Sequence, residues 1–370
     1  MPEDRIHMNA ANLCPAPRQV FESQDRWSRM MDADPSAPIK TKLADAREES
    51  RKLLAEFLGA TPEEIVITRN TSEANNLVSS GVTLGPNDEI VLHSDNHPSN
   101  LVAWREKAKR YGFRINVVPN VSPHPGGDYY IDAFRKALTP RTKLLSFTHV
   151  TNSAGDMLPA NELCAMARER GILTLVDGAQ TFGVLAVSMA DMQPDFYSGS
   201  LHKWPCGPKE TGLLYVRRDI QDRLTPSVAS LYAGRVGASR TLEAMGQRDE
   251  PALAAVADAV RFQTTIGRKL VEQRARELAQ SLMSELAKLP GVVVWTSRDA
   301  SRSAGVVTFK PANLDTRRLV SALYDRDKIA CSARAGEDRP GIRLAPHIYN
   351  PTSEVERVIA TVRRYLADGV

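Results

Sequence analysis

The sequence predicts an α/β protein, with helices on both faces of a mostly parallel sheet, followed by a smaller α+β domain. The first observation behind this prediction is that apolar, β-branched runs alternate with helix-like segments between residues 64 and 176. The second is that polar side chains follow several of these runs, where sheets of this kind bind ligands. The third is that the alternation stops near residue 250, where a long helical stretch begins.

The first half of the chain alternates strands and helices with short connections between them. Because a helix separates consecutive strands, neighbouring strands are expected to run parallel. A cluster of Pro and Gly at residues 121–129 predicts a surface loop. We predict strands at residues 64–68, 89–93, 114–118, 142–148 and 172–176, and helices at 72–80, 99–111, 131–138 and 160–170.

The second half predicts a different domain. Residues 252–289 have the pattern of one long helix that ends at Pro290-Gly291. We place a large domain at residues 1–250, whose N-terminal segment is expected to pack on the small domain, and the small C-terminal domain at 251–370. Its predicted strands are 292–295, 305–309 and 328–331, and its predicted helices are 314–325 and 352–368.

Composition narrows the class of protein. The 370 residues are 42% hydrophobic and 25% charged, and the net charge of +4 is not concentrated in a basic block. This balance favours neither a nucleic-acid partner nor a membrane surface. The four cysteines show no metal-binding spacing, and no apolar leader follows the N-terminus, so we expect a cytoplasmic protein with reduced thiols and no metal site.

Lys203 lies in a stretch of low charge, and Asp177 follows the apolar run at 172–176. A lysine in such surroundings loses hydration and favours its neutral, nucleophilic form. Read alone, Lys203 is also compatible with a solvated surface lysine, and Asp177 with a cap on the turn before Gly178. Together they match the needs of pyridoxal phosphate chemistry, in which a lysine amine binds the cofactor covalently and a carboxylate pairs with the protonated ring nitrogen.

Three further candidates lie beside predicted strand ends. Thr71 and Ser72 stand at a strand-to-helix junction, where free N–H groups and the helix dipole bind phosphate. The same residues also serve as an ordinary helix cap. His97 follows the strand at 89–93, and its ring is placed either to stack on a cofactor or simply to occupy a loop.

The remaining candidates are polar groups with the right chemistry for a cofactor or a substrate. An arginine is the natural bidentate partner of a carboxylate, although a surface arginine is the alternative interpretation. These candidates are Asn152 and Gln180 for the phenolic oxygen of the cofactor, Ser200 and His202 for its phosphate, and Arg343 for the substrate carboxylate.

With these residues in hand, the chain resembles fold-type I pyridoxal phosphate enzymes of the class V aminotransferase family. The resemblance is closest to the branch with cysteine desulfurases, isopenicillin N epimerase and related C–S lyases. It implies a pyridoxal 5'-phosphate cofactor, an amino-acid substrate, a homodimer with active sites at the interface, and Lys203, Asp177 and His97 as catalytic residues. The segments that carry it are 9–12, 71–73, 97–100, 149–152, 176–180, 200–203 and 343–350.

Two departures from the family pattern matter. Many relatives carry a Gly-Thr pair that reaches the neighbouring subunit's cofactor phosphate, and this chain has Gly246-Gln247, which makes Gln247 a further cofactor-binding candidate. Desulfurases also use a mobile cysteine in an Arg-x-Gly-x-x-Cys motif to accept sulfur. Here the matching segment, Arg334-Ala-Gly-Glu-Asp, ends without a cysteine, and Cys331 lies upstream, where we expect it to be packed.

These features predict an enzyme acting at the Cα of an amino acid. Lys203 would remove the Cα proton while Arg343 holds the carboxylate. We expect a C–S lyase or an epimerase for a sulfur-containing or non-standard amino acid, without a persulfide-forming cysteine. The alternatives are an aminotransferase and, in a different class, a non-catalytic binding protein with the same fold.

Overall fold

A seven-stranded sheet forms the centre of the protein in the computed structural model, which describes residues 4–231, 233–311, 313–334 and 338–370. The strands are β1 (Ile6–His7), β2 (Ile65–Thr68), β3 (Glu89–His93), β4 (Arg114–Val118), β5 (Thr142–Thr148), β6 (Leu173–Asp177), β7 (Phe196–Ser200), β8 (Gly212–Val216), β9 (Val293–Val294), β10 (Val307–Lys310), β11 (Ile329–Ala330), β12 (Ser332–Arg334) and β13 (Gly341–Leu344). The helices are α1 (Arg18–Ala33), α2 (Ala37–Leu58), α3 (Thr71–Gly81), α4 (Pro98–Tyr111), α5 (Gly127–Ala137), α6 (Ala160–Arg168), α7 (Met189–Met192), α8 (Ser239–Leu242), α9 (Glu250–Ile266), α10 (Arg268–Leu286), α11 (Thr316–Asp325) and α12 (Thr352–Asp368).

The large sheet is mostly parallel, and the predicted fold class is confirmed. Its strand order is β2-β8-β7-β6-β5-β3-β4, and β8 alone in this sheet runs against its neighbours. The other adjacent strands pair in parallel, so the carboxyl ends of β2, β3, β5, β6 and β7 meet at one edge. That edge is where a sheet of this type binds its ligand.

The helical stretch between the two halves differs from the prediction of a single helix at 252–289. The structure has two helices, α9 and α10, separated at Gly267, whose φ is +97°. This backbone conformation suits glycine and interrupts the helix. Two further helices that the sequence pattern did not predict, α1 and α2, pack against α9.

A second, smaller sheet has the antiparallel order β12-β13-β10-β9. Its core includes Leu282, Phe309 and Val358, and Ile6 and Met8 of the N-terminal segment belong to the same cluster. The strand β1 pairs with β11. The division at residue 250 remains a proposal, because the apolar side chains of α9 pack in the cluster of the large sheet. No helix within the described ranges is both long and apolar enough to cross a membrane.

Candidate functional site

Lys203 and Asp177 face the same region at the carboxyl edge of the large sheet. Asp177 is the last residue of β6 and is 1% exposed, and Lys203, in the loop after β7, is partly exposed. Burial lowers the pKa of Lys203 to about 8; the nearby Asp177 carboxylate opposes this shift and the Arg343 guanidinium adds to it. The neutral fraction of this amine near physiological pH is therefore a minority, but it is much larger than that of a lysine with the ordinary pKa of 10.5.

The carboxylate of Asp177 is fixed by two donors. The amide of Asn75 donates to Oδ2 at 2.9 Å, and the backbone N–H of Ala179 donates to Oδ1 at 3.0 Å. Ser198 donates to the Asn75 carbonyl oxygen at 2.7 Å, which orients the Asn75 amide toward Asp177. Each carboxylate oxygen keeps a lone pair for another donor, such as a protonated ring nitrogen. Sequence reasoning missed Asn75, although it lies one helical turn after Thr71 on α3.

Hydroxyl groups and a helix N-terminus meet beside Lys203. The backbone N–H of Thr71 donates to the Ser200 hydroxyl at 3.0 Å, and the two hydroxyls lie 2.8 Å apart. The ring Nδ1 of His202 is buried and has no hydrogen-bond partner among the described residues. Burial and the charge of Lys203 lower the pKa of His202 to about 4. A helix N-terminus, two hydroxyls and an unpaired ring nitrogen fit the needs of a phosphate group.

His97 is linked to this group through Ser99. The backbone N–H of Ser99 donates to His97 Nδ1 at 3.2 Å, and the Ser72 hydroxyl donates to the Ser99 hydroxyl at 3.0 Å. Burial lowers the pKa of His97, while Asp177 raises it and Lys203 lowers it further. The ring is therefore neutral, and because Nδ1 accepts a hydrogen bond, its proton lies on Nε2.

Gln180 and Asn152 also lie at this edge. The Gln180 Nε2 donates to the Ala11 carbonyl at 3.0 Å, and Trp204 donates to Gln180 Oε1 at 2.8 Å, so one N–H of the amide remains for another acceptor. Asn152 is 8% exposed, and its backbone carbonyl accepts from Arg343 at 3.0 Å.

Arg343, on β13 of the small sheet, is a buried cation. It is 4% exposed, its Nη2 lies 3.4 Å from Asn9 Oδ1, and its Nε is buried without a hydrogen-bond partner among the described residues. Burial and the charge of Arg334 lower the pKa of Arg343 to about 10. Its hydrogen bonds among the described residues go to the Asn152 carbonyl and the Asn9 amide oxygen and not to a carboxylate, so this guanidinium fits an anionic substrate group.

Gln247 does not join this group. Its side chain is exposed and lines a cavity of about 330 Å³ with Arg69 and Arg248. Residues 335–337, which contain most of the segment that departs from the desulfurase motif, lie outside the described residues.

Cys206 adjoins Lys203 through the backbone, where its N–H donates to the Lys203 carbonyl at 2.9 Å. Burial raises the pKa of Cys331 to about 12, and its side chain packs on the core of the small sheet. Interaction with Cys14 lowers the pKa of Cys206 to about 5, despite burial. Cys206 and Tyr349 line a cavity of about 730 Å³ that none of the predicted site residues lines.

The lowered pKa of Lys203 predicts a distinctive pH profile. In the cofactor-free protein, its reaction with an aldehyde should rise with pH through a midpoint near 8, because only the neutral amine is a nucleophile and 8 is well below the ordinary value of 10.5. Brief labelling at a series of pH values, borohydride reduction and peptide mass spectrometry would measure this rate. The exposed Lys143 serves as the internal control, and a Lys203 profile that follows that of Lys143 would contradict the prediction.

Comparison with known proteins places the chain in one family. The family model for aminotransferase class-V matches residues 10–358. Isopenicillin N epimerase of Amycolatopsis lactamdurans is 34% identical, over 96% of this chain and 94% of the relative. Cysteine desulfurase of Haloferax volcanii is 30% identical, over 86% of this chain and 78% of the relative.

Solved structures share the whole fold. The cystine C–S lyase C-DES, in complex with its product cysteine persulfide, is 23% identical, with a TM-score of 0.90 over 98% of each chain. A C-DES mutant with glycine covalently linked to the cofactor gives a TM-score of 0.90 at 22% identity, over 98% of this chain and 97% of that chain. These likenesses establish the fold-type I architecture, and the sequence resemblance is confirmed. The chain therefore belongs to the class V aminotransferase family and is a pyridoxal-phosphate-dependent enzyme.

Proposed function

We propose that this enzyme removes the Cα proton of a sulfur-containing or non-standard amino acid and that the outcome is C–S cleavage or epimerisation. The observation that carries the proposal is the Lys203 amine in the loop after β7, whose pKa of about 8 responds to both the Asp177 carboxylate and the Arg343 guanidinium. The names of the relatives support the two outcomes, because one is an isopenicillin N epimerase and another a cystine C–S lyase.

Each predicted residue has a proposed partner on the cofactor. Bound pyridoxal phosphate supplies an electron sink that stabilises negative charge at the substrate Cα. Asp177 would hold the protonated ring nitrogen, and His97 would lie against the ring face. Thr71, Ser72, Ser200 and His202 would hold the phosphate, and Gln180 and Asn152 the ring oxygen.

The substrate-binding and proton-transfer roles fall on two cations. Arg343 would bind the α-carboxylate, because it is buried and offers Nε and Nη2 with little competition from protein acceptors. Lys203 in its neutral form would accept the Cα proton and return it as an ammonium group. Inversion of the centre would require a second acid to deliver a proton to the opposite face of Cα, whereas departure of a sulfur group from Cβ gives elimination.

A panel of amino acids distinguishes these outcomes. The holoenzyme would be incubated in D₂O with cysteine, cystine, cysteine S-conjugates and D- and L-isomers. Pyruvate, ammonia, sulfide and deuterium at Cα would be measured together. Pyruvate with ammonia and a sulfur product indicates elimination, and deuterium with inversion and no pyruvate indicates epimerisation. An oxo acid without ammonia would instead indicate transamination, and a panel in which no amino acid gives either pyruvate or Cα exchange would contradict the proposal.

We also propose that any released sulfur is not carried on this chain. The Arg334–Asp338 segment has no cysteine, and burial raises the pKa of Cys331 to about 12, which disfavours a thiolate. Cys331→Ala is therefore expected to change turnover by less than about twofold, since the thiol only packs on a core. Turnover and persulfide content of the purified protein would be measured. Loss of activity at unchanged cofactor content would restore the desulfurase interpretation.

The expected homodimer remains part of the proposal. Gln247 is exposed beside Arg69, near the N-terminus of α3, so it stands on a surface from which a second copy would complete the phosphate site. Sedimentation of the holoenzyme, with Gln247→Ala compared for cofactor affinity, tests this role.

A further inference from the structure

Arg339 is a buried arginine that joins the two halves of the molecule. It lies between β12 and β13 of the small sheet, and its side chain is 3% exposed. Its guanidinium binds Asp156, whose side chain is fully buried, and Asp95, at 3.0 Å. The Ser153 hydroxyl also donates to Asp95. One cation therefore bridges two carboxylates of the large domain.

Both aspartates belong to turns that carry predicted site residues. Asp95 follows β3 and precedes His97 by two residues, and Asp156 follows β5 four residues after Asn152. A shift of either turn would move the ring of His97 or the carbonyl that Arg343 contacts. The position of Arg339 thus bears on the geometry of the site, although it touches no proposed cofactor group.

Other hydrogen bonds from the small domain hold only the turn after β5, which carries Asn152. Thr308 donates to the Ser153 carbonyl at 2.7 Å, Thr296 donates to the Ala154 carbonyl at 2.6 Å, and Arg343 donates to the Asn152 carbonyl at 3.0 Å. Among the hydrogen bonds of the described residues, the turn after β3 is joined to the small sheet through Arg339. Losing Arg339 would therefore remove the link between the His97 turn and the small sheet, while Asn96 and Ser153 would still join that turn to residues of the large domain.

Arg339 also stands at the position of the cysteine in the desulfurase motif. In the motif Arg-x-Gly-x-x-Cys, the cysteine lies five residues after the arginine, and five residues after Arg334 is Arg339. A buried, doubly paired cation therefore occupies the motif position of the thiol. With arginine in place of cysteine, this point of the chain is joined to the large domain.

We propose that Arg339 is a positioning residue, which acts through its pairs with Asp95 and Asp156. These pairs hold the turns of His97 and Asn152 in a fixed position relative to Arg343. They thereby shape the pocket for the substrate carboxylate. This inference rests on the proposed function, because it takes Arg343 as the carboxylate-binding residue. A purely structural ion pair would stabilise the fold without affecting substrate binding. The experiment must therefore distinguish a stabilising role of Arg339 from a positioning role.

The test compares Arg339→Met and Arg339→Lys with Arg276→Met. Arg276 serves as the control, since it pairs with Glu272 at 2.8 Å and donates to the Ser303 carbonyl at 2.7 Å, and neither partner is a predicted site residue. Hydrogen exchange of the turns at 94–97 and 151–156 would be followed in the cofactor-free proteins. Glycine would be titrated into the holoenzymes, and the absorbance change would give its Kd.

We expect Arg339→Met to speed exchange in the turn after β3 and to raise the glycine Kd by about tenfold or more, because a small displacement of binding groups is costly. Arg339→Lys should recover part of both effects, and Arg276→Met should lower only the Tm. In an Asp95→Asn background, Arg339→Met should have a smaller effect on exchange in the turn after β3.

Unchanged exchange and unchanged glycine Kd in a folded Arg339→Met protein would overturn the inference. If Arg339→Met does not fold, Arg339→Lys and Asp95→Asn provide the same two measurements. If glycine fails to change the spectrum of the unsubstituted holoenzyme, the proposed amino-acid site is wrong. The exchange measurement still tests in that case whether Arg339 holds the turns.

Discussion

Lys203→Ala is expected to lower turnover by about 10⁴-fold or more, because one side chain is proposed both to bind the cofactor and to move the Cα proton. The amine belongs to a partly exposed residue in the loop after β7, and the charges of Asp177 and Arg343 both act on its pKa of about 8. Solvent-deuterium exchange at the Cα of the best substrate, measured by NMR, reports the proton step directly. Borohydride reduction followed by peptide mapping reports the covalent link.

Lys209→Ala is the matched control for this substitution. Lys209 is on the same loop, and its Nζ donates to the Cys14 carbonyl at 2.7 Å, outside the group of proposed cofactor contacts. We expect this variant to retain Cα exchange and borohydride labelling at Lys203. If Lys203→Ala still fixed the cofactor on a lysine with exchange near the normal rate, the assignment of the whole site would be wrong.

The parallel half of the fold was predictable because its signals are local. Each strand from β2 to β6 is a short apolar run bounded by turn residues, and the predicted bounds differ from the observed ones by at most one residue. Polar residues after such runs must lie at one edge of the sheet. That rule alone is enough to bring Asp177, His97 and Thr71 into one region, whereas Ser200 ends β7, which was not predicted.

The features that were missed depend on contacts between distant parts of the chain. The helices α1 and α2 pack on α9, about 200 residues later, and their polar sequences gave little local signal. Asn75 has no local signal either, because its partners, Asp177 and Ser198, are 102 and 123 residues away. The same holds for Arg339, since its pairs with Asp156 and Asp95 span 183 and 244 residues.

Asp177→Asn is expected to lower turnover by about 10³-fold, the scale of removing one preorganised charge interaction at a reacting centre. The amide keeps the shape of the side chain, but its single oxygen can accept from only one of the two donors, Asn75 and Ala179. It carries no charge, however, so it does not favour a proton on the ring nitrogen. The electron sink then weakens, and removal of the Cα proton by Lys203 slows.

Asp195→Asn provides the control for loss of a buried carboxylate. Asp195 is 4% exposed, accepts from the Thr174 N–H at 2.8 Å and pairs with Arg217 at 3.0 Å, at the opposite end of β7 from the site. We expect Asp195→Asn to lower the Tm while the folded fraction keeps its turnover. Equal losses of turnover in the two variants would mean that Asp177 acts through stability alone.

A cofactor analogue with carbon in place of the ring nitrogen makes the test specific to the proposed contact. The unsubstituted protein with this analogue should lose about as much turnover as Asp177→Asn with the natural cofactor, roughly 10³-fold, because both lack the charged pair. Combining Asp177→Asn with the analogue should lower turnover little further, since each change alone already removes the same interaction. Losses that multiply would show that Asp177 does not act through the ring nitrogen. Its two hydrogen-bonded oxygens would then serve to place Asn75 and α3, and so the phosphate end of the site.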